Sequence, residues 1–94
     1  MEDVPVGVDI IEIDRIERTL QRFGSRFLER IYTADEISYC RGRPAQLAAR
    51  FAAKEAVMKA LGTGTRGVGW RDVEITRERT GKPRVNLTGR AAAR

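Results

Sequence analysis

Between Val4 and Ile10 apolar side chains alternate with Pro5, Gly7 and Asp9, the period-two pattern of a strand whose second face presents Asp9. Pro5 suits an edge strand or a strand start. The period then lengthens. Asp14 makes a good helix N-cap with Glu17 three residues on, and Ile16, Leu20 and Phe23 follow at helical spacing until Gly24. Phe27, Leu28 and Ile31 predict a further helical turn or two, and Thr33 with Glu36 forms a second capping box for a short helix toward Cys40. Gly42 and Pro44 mark a boundary, after which a long helix runs from about Pro44 to Leu61. Gly62, Gly64, Gly67 and Gly69 end it in a loop. Val73 and Ile75 alternate with polar neighbours as a strand, Thr80-Gly81-Lys82-Pro83 turns, and Val85 with Leu87 makes the hairpin partner. Thr88 to Arg94 reads as the opening of a helix.

The long helix carries its charges where a packing helix would not. At roughly 100° per residue, Leu47, Phe51, Met58 and Leu61 form one stripe, and Ala48, Ala49, Ala52, Ala53, Ala56 and Ala60 cover the far side. Both faces therefore look buried. Glu55 and Lys59 lie near one seam between them, Arg50 near the other, and Lys54 falls inside the large apolar stripe. Buried charges cost several kcal/mol each unless paired, metal-bound or opening into a cleft, so a site is expected here. Otherwise Lys54 would snorkel its stem out of the stripe.

A chain of 94 residues makes one small domain whose core is only marginally stabilising, so self-association would reinforce it. The formal charge of +5 implies an anionic partner: a nucleic acid, a phosphorylated small molecule or an acidic protein. No apolar run approaches the ~20 residues of a membrane span, and Met1-Glu2-Asp3 lacks the basic start and apolar core of a secretory signal. A cytoplasmic location without membrane association is expected. Cys40 is the single cysteine, which excludes an internal disulfide, and the absence of histidine excludes a His/Cys zinc cluster.

Three features bear on chemistry. Gly62-Thr63-Gly64-Thr65-Arg66-Gly67 formally matches GxGxxG, but a helix precedes and a strand follows, the reverse of the dinucleotide context. What remains is a helix C-cap with a flexible turn, or a backbone surface that approaches a ligand phosphate. In the first helix Arg15, Arg18 and Arg22 fall within about 60° of arc opposite the apolar side, and Arg26 extends the ridge if Gly24 does not break it. Such a ridge is either a solvated face or a docking surface for an acidic helix or a phosphate backbone. Finally, Asp9 and Glu55 are hard carboxylates with no histidine to favour zinc, a combination suited to Mg²⁺ that keeps its waters and bridges to phosphate oxygens.

Taken in order, Gly7-Val8-Asp9-Ile10-Ile11-Glu12-Ile13-Asp14-Arg15-Ile16, then Arg50-Phe51-Ala52-Ala53-Lys54-Glu55-Ala56 with Lys59, then Leu61-Gly62-Thr63-Gly64, then Gly81-Lys82-Pro83, resemble the holo-acyl-carrier-protein synthases. These are the short bacterial type of 4′-phosphopantetheinyl transferase. The resemblance spans Val6 to about Leu87. It implies a cytoplasmic enzyme of fatty acid biosynthesis that moves the 4′-phosphopantetheine arm of coenzyme A onto a serine of apo acyl carrier protein and releases adenosine 3′,5′-bisphosphate.

The resemblance further implies that Asp9 and Glu55 hold Mg²⁺ against the coenzyme A diphosphate, with Glu55 as base, directly or through a water, and Lys59 stabilising phosphate charge. Arg50 matches the contact to the 3′-phosphate, Gly62, Thr63 and Gly64 line the nucleotide cleft, and Gly81, Lys82 and Pro83 approach from the side. Lys54 joins this coenzyme-binding set. Arg15, with Arg18 and Arg22, would orient the acidic carrier. The family assembles as trimers with each cleft between two subunits. Its members continue into a last strand with a Ser-x-Ser-His segment, so the single domain 1–94 is expected to lack its C-terminal strand. The fold class expected is α+β, a small antiparallel sheet packed on a long central helix, as a homotrimer that binds coenzyme A and carrier protein but no nucleic acid. The rival reading is a small basic RNA-binding module without catalysis, favoured by the charge. It is disfavoured by the single Trp, two Tyr and three Phe, which form no clustered stacking pattern.

Overall fold

A computed structural model describes residues 10–62 and 68–92. Four helices, α1 (Ile10–Phe23), α2 (Ser25–Ile31), α3 (Ala34–Cys40) and α4 (Pro44–Leu61), precede a 3₁₀ turn at Trp70–Asp72. The hairpin β1 (Val73–Arg77) and β2 (Pro83–Leu87) follows, and then the short α5 (Gly89–Ala92). The α+β class holds: α4 packs against both α1 and β1, so it runs through the middle of the domain.

Most boundaries follow from local chemistry. Gly24, at φ 58°, separates α1 from α2 in a conformation that a side chain would strain. The Thr33–Glu36 capping box forms as expected, with Thr33 Oγ1 accepting from the Glu36 amide at 3.2 Å and Glu36 Oε1 accepting from the Thr33 amide at 2.8 Å. Pro44 opens α4, where its missing N–H costs nothing, and Gly62 ends it at φ 63°. The start of α1 departs from expectation. Asp14 is not an N-cap, because the helix already runs from Ile10, and Asp14 instead pairs with Arg18 at 2.9 Å along the helix surface. Ile13, Ile16 and Leu20 make the buried stripe, whereas Ile10 and Ile11 lie off it and stay 82% and 70% exposed. The strand expected at Val4–Ile10 therefore does not include Ile10; its remainder lies outside the described residues.

The core has two parts joined by α4. The amino-terminal half of α4 sends Leu47 and Ala48 into a cluster with Ile16, Ile31, Tyr32 and Cys40. Its other half lays Ala53, Val57, Met58 and Leu61 against Val68, Val73, Ile75 and Ala91. Both faces of α4 were expected to be buried, yet Ala56 and Ala60 are exposed on the single chain. In the hairpin, register pairs Val73 with Leu87 and Ile75 with Val85. β1 covers α4 and is buried; β2 overhangs it, leaving Val85 and Leu87 partly open to solvent. The Tyr32 hydroxyl donates to the Leu47 carbonyl at 2.8 Å, and burial pushes the phenol well above its ordinary range.

Thr33 serves two elements at once, since its hydroxyl also donates to Glu74 Oε2 on β1 at 2.6 Å. Thr33→Ala removes both the cap and this tie. It is expected to destabilise the domain by roughly 1–2 kcal/mol, lowering Tm by about 4–8 °C per kcal/mol. An unchanged thermal melt would contradict that.

Candidate active site

The carboxyl-terminal half of α4 projects Glu55 and Lys59, four residues apart, onto one side of the helix. With Met58, Gly62 and Trp70 they line a concavity of about 430 Å³. Both charged groups are exposed, so neither pays the desolvation cost of a buried ion. Glu55 makes no ion pair among the described residues. An open carboxylate beside an open ammonium, over an apolar wall of Met58 and Trp70, can accept a proton on one side and neutralise phosphate charge on the other. The indole of Trp70 stacks on Phe51, with ring centroids 4.9 Å apart and planes 16° from parallel. Neither Trp70 nor its role in the wall was read from the sequence, although the chain's single tryptophan directly after a glycine loop was a signal available there.

Arg50 occupies a different place. Nine residues from Lys59, it falls on the opposite side of α4, as about 100° per residue requires. There it lines a second concavity, of about 260 Å³, with Ala53, Ile75, Thr76, Arg77 and Pro83. Its guanidinium is braced: Nη1 donates to Gln46 Oε1 at 3.0 Å, and the group lies 4.4 Å from the Tyr39 ring centroid. Nε is buried and makes no hydrogen bond among the described residues. Pro83 opens β2, while Gly81 and Lys82 sit in the exposed hairpin turn closed by Gly81 N–H to Glu78 O and Glu78 N–H to Lys82 O, both 2.8 Å. The expected site residues thus divide between two concavities on one chain, Glu55, Lys59 and Gly62 in the first, Arg50 and Pro83 in the second. Asp9, Thr63 and Gly64 lie outside the described residues.

Lys54 corrects the sequence reading. It is 0% exposed and does not snorkel. Its ammonium bonds Glu36 Oε1 at 2.8 Å, the Trp70 carbonyl at 3.0 Å and the Val73 carbonyl, which uses its three protons. Burial lowers its pKa, and the hydrogen bond and charge of Glu36 oppose that shift. No donor is left for a coenzyme phosphate.

On α1, Arg15, Arg18 and Arg22 do share the exposed face. Arg15 pairs with Glu12 at 3.5 Å and Arg18 with Asp14 at 2.9 Å; exposed pairs of this kind contribute at most a few tenths of a kcal/mol each. The Arg22 guanidinium lies 5.3 Å from the Phe23 ring centroid. Although Gly24 breaks the helix, the basic surface continues onto α2. Arg26 and Arg30 join Thr19, Phe23 and Phe27 around a concavity of about 340 Å³.

The relatives of this chain place it in a transferase family. A family model of the 4′-phosphopantetheinyl transferase superfamily matches residues 5–94, and the chain belongs to that family. Within it, the relatives are holo-[acyl-carrier-protein] synthases. The protein of Moorella thermoacetica is 59% identical over 88 residues, covering 90% of this chain and 68% of its relative. That of Koribacter versatilis is 54% identical over 90 residues, covering 92% and 72%. The crystal structure of the Helicobacter pylori holo-[acyl-carrier-protein] synthase in complex with coenzyme A aligns with a TM-score of 0.78 at 33% identity, covering 86% of this chain and 71% of that one. The Neisseria meningitidis synthase gives 0.74 at 40% identity, covering 86% and 68%. The RNA-binding alternative finds no support in these relationships. Among the described residues no helix is long and apolar enough to cross a membrane, and no group of three or more metal-ligating side chains occurs.

Proposed function

We propose that this chain transfers the 4′-phosphopantetheine arm of coenzyme A to a serine hydroxyl of an apo acyl carrier protein and releases adenosine 3′,5′-bisphosphate. The observation that carries this is the pairing of Glu55 and Lys59 on the wall of one open concavity, in a chain whose relatives are holo-[acyl-carrier-protein] synthases. The serine oxygen forms a bond to the phosphorus that bears pantetheine, and the bridging P–O bond of the diphosphate breaks. Glu55 takes the serine proton, directly or through a water. Lys59, one turn along α4, stabilises charge on the departing bisphosphate.

Glu55 fits a Mg²⁺ ion: it is a hard oxygen donor, exposed and without an ion-pair partner among the described residues, and Asp9, which lies outside the described residues, is the second carboxylate assigned to it. Bound there, Mg²⁺ would neutralise the diphosphate charge. Arg50, with its fork braced by Gln46 and Tyr39, suits the 3′-phosphate dianion. Arg50 and Lys59 point to opposite sides of α4, so one coenzyme reaches both when each comes from a different copy. This supports clefts shared between copies of the chain, a homotrimer as the family resemblance implies, which would also cover the open Ala56 and Ala60.

Intact-mass analysis of an apo acyl carrier protein incubated with this chain, coenzyme A and Mg²⁺ tests the reading. A gain of one phosphopantetheine arm that disappears with chelator is expected; no gain at any enzyme concentration would contradict it. The basic face of α1 is assigned to the carrier. Arg15→Glu reverses a charge there and replaces the ion pair with Glu12 by a like-charge contact, so the KM for the carrier is expected to rise about tenfold or more, with the KM for coenzyme A unchanged. An unchanged carrier KM would remove Arg15 from the docking face.

A further inference from the structure

Glu36 and Lys54 form the most deeply sealed ion pair of the described residues, at 1% and 0% exposure. The Glu36 carboxylate accepts three hydrogen bonds: Oε1 from the Thr33 amide and from Lys54 Nζ, both 2.8 Å, and Oε2 from the Ile75 amide at 2.7 Å. Lys54 Nζ adds the carbonyls of Trp70 and Val73. One fully satisfied knot thus joins α3, α4 and both ends of the Trp70–Ile75 stretch. A well-packed apolar pair would hold these elements together at least as well, because desolvating two ions offsets most of their attraction. What an ion pair with directed hydrogen bonds supplies is position.

The position it sets is that of the active-site wall. Lys54 holds the backbone carbonyl of Trp70, whose ring stacks on Phe51 and faces the concavity of Glu55 and Lys59. Lys54 also immediately precedes Glu55, so the same anchor fixes the rotation of α4 that turns Glu55 outward. The geometry points to Glu36 and Lys54 as positioning residues that place Trp70 as a wall of the coenzyme pocket. The assignment rests on the proposed coenzyme-binding role of that concavity.

Trp70 is the chain's single tryptophan, so intrinsic fluorescence reports this wall directly. In the unaltered protein saturating coenzyme A is expected to change Trp70 emission; an emission that ignores coenzyme A would overturn the pocket reading itself, and this proposal with it. The test variant is the double substitution Glu36→Gln with Lys54→Met, which removes both charges of the pair. It is expected to raise the KM for coenzyme A about tenfold, to change kcat by less than about threefold, and to shift the emission of free protein to the red. Unchanged KM and emission in a folded variant, with only a lower Tm, would reduce the pair to a structural role and overturn the proposal. Should the double variant not fold, Glu36→Asp keeps both charges, withdraws the carboxylate by one methylene and is read by the same two quantities.

Discussion

Glu55→Gln is expected to lower kcat by about 10²–10⁴-fold while the carrier's KM moves by no more than a factor of two or three. The substitution preserves size and leaves the exposed helix surface intact, so folding should be unaffected. It removes the carboxylate proposed to take the serine proton, and it removes a hard anionic donor that a divalent cation would need. The carrier is assigned to the basic face of α1 rather than to this group, so its affinity should not register the change. Mixing offers a second test on the same protein. Arg50→Ala is expected to be strongly impaired through loss of the 3′-phosphate contact. If clefts are shared between copies, co-refolding the Arg50→Ala and Glu55→Gln chains should restore a fraction of the activity, because some clefts then draw both intact residues from different chains. Retained Mg²⁺-dependent turnover in Glu55→Gln alone would end the role of Glu55. Absence of any recovery in the mixture would argue against a site divided between copies.

The separation of Arg50 from Lys59 on α4 was legible in the sequence, since their nine-residue spacing places them on opposite sides of any α-helix. The middle of the fold was legible for similar reasons. The Thr33–Glu36 box, Pro44 and Gly62 act on their own backbone neighbours, so reading them needs no tertiary information. The start of α1 was not legible. Asp14 and Glu17 carry an N-terminal signature, but Ile13 and Ile16 must reach the same core, and packing extended the helix upstream past the signature. Helical periodicity placed Lys54 correctly inside an apolar stripe and showed that its charge needed an answer. It did not identify the partner. Glu36, eighteen residues earlier, was fully accounted for as a capping-box residue, and no local pattern reveals that one carboxylate caps α3, pairs with α4 and accepts from β1. The same blindness to long-range geometry hid Trp70.

Glu36→Leu is expected to be the most destabilising of the substitutions considered, costing about 3–5 kcal/mol or more. It leaves the Thr33 and Ile75 amides without their acceptor and strands the Lys54 ammonium in a site with no solvent access. A domain of this size has a stability near the low end of roughly 5–15 kcal/mol, so the variant should sit close to its unfolding midpoint at room temperature. The double substitution that also removes Lys54 should lose less than Glu36→Leu, because no stranded Lys54 cation remains. The pH dependence identifies the cause. In the unaltered protein burial lowers the Lys54 pKa from 10.5, while the Glu36 hydrogen bond and charge raise it. Without Glu36 its two raising influences vanish, only the Glu74 charge still opposes desolvation, and folded Lys54 sheds its proton at lower pH. Between that lower value and the unfolded lysine value the unfolded chain binds more protons, so the variant's stability increases with pH. Tyr32 and Cys40, both pushed up by burial, work in the opposite sense but are present in both proteins and largely cancel in the difference. Urea denaturation across the series should therefore show a deficit deepest at and below neutral pH that narrows toward about pH 10. A deficit under about 1 kcal/mol, or one that does not vary with pH, would mean that the stranded Lys54 cation is not its source.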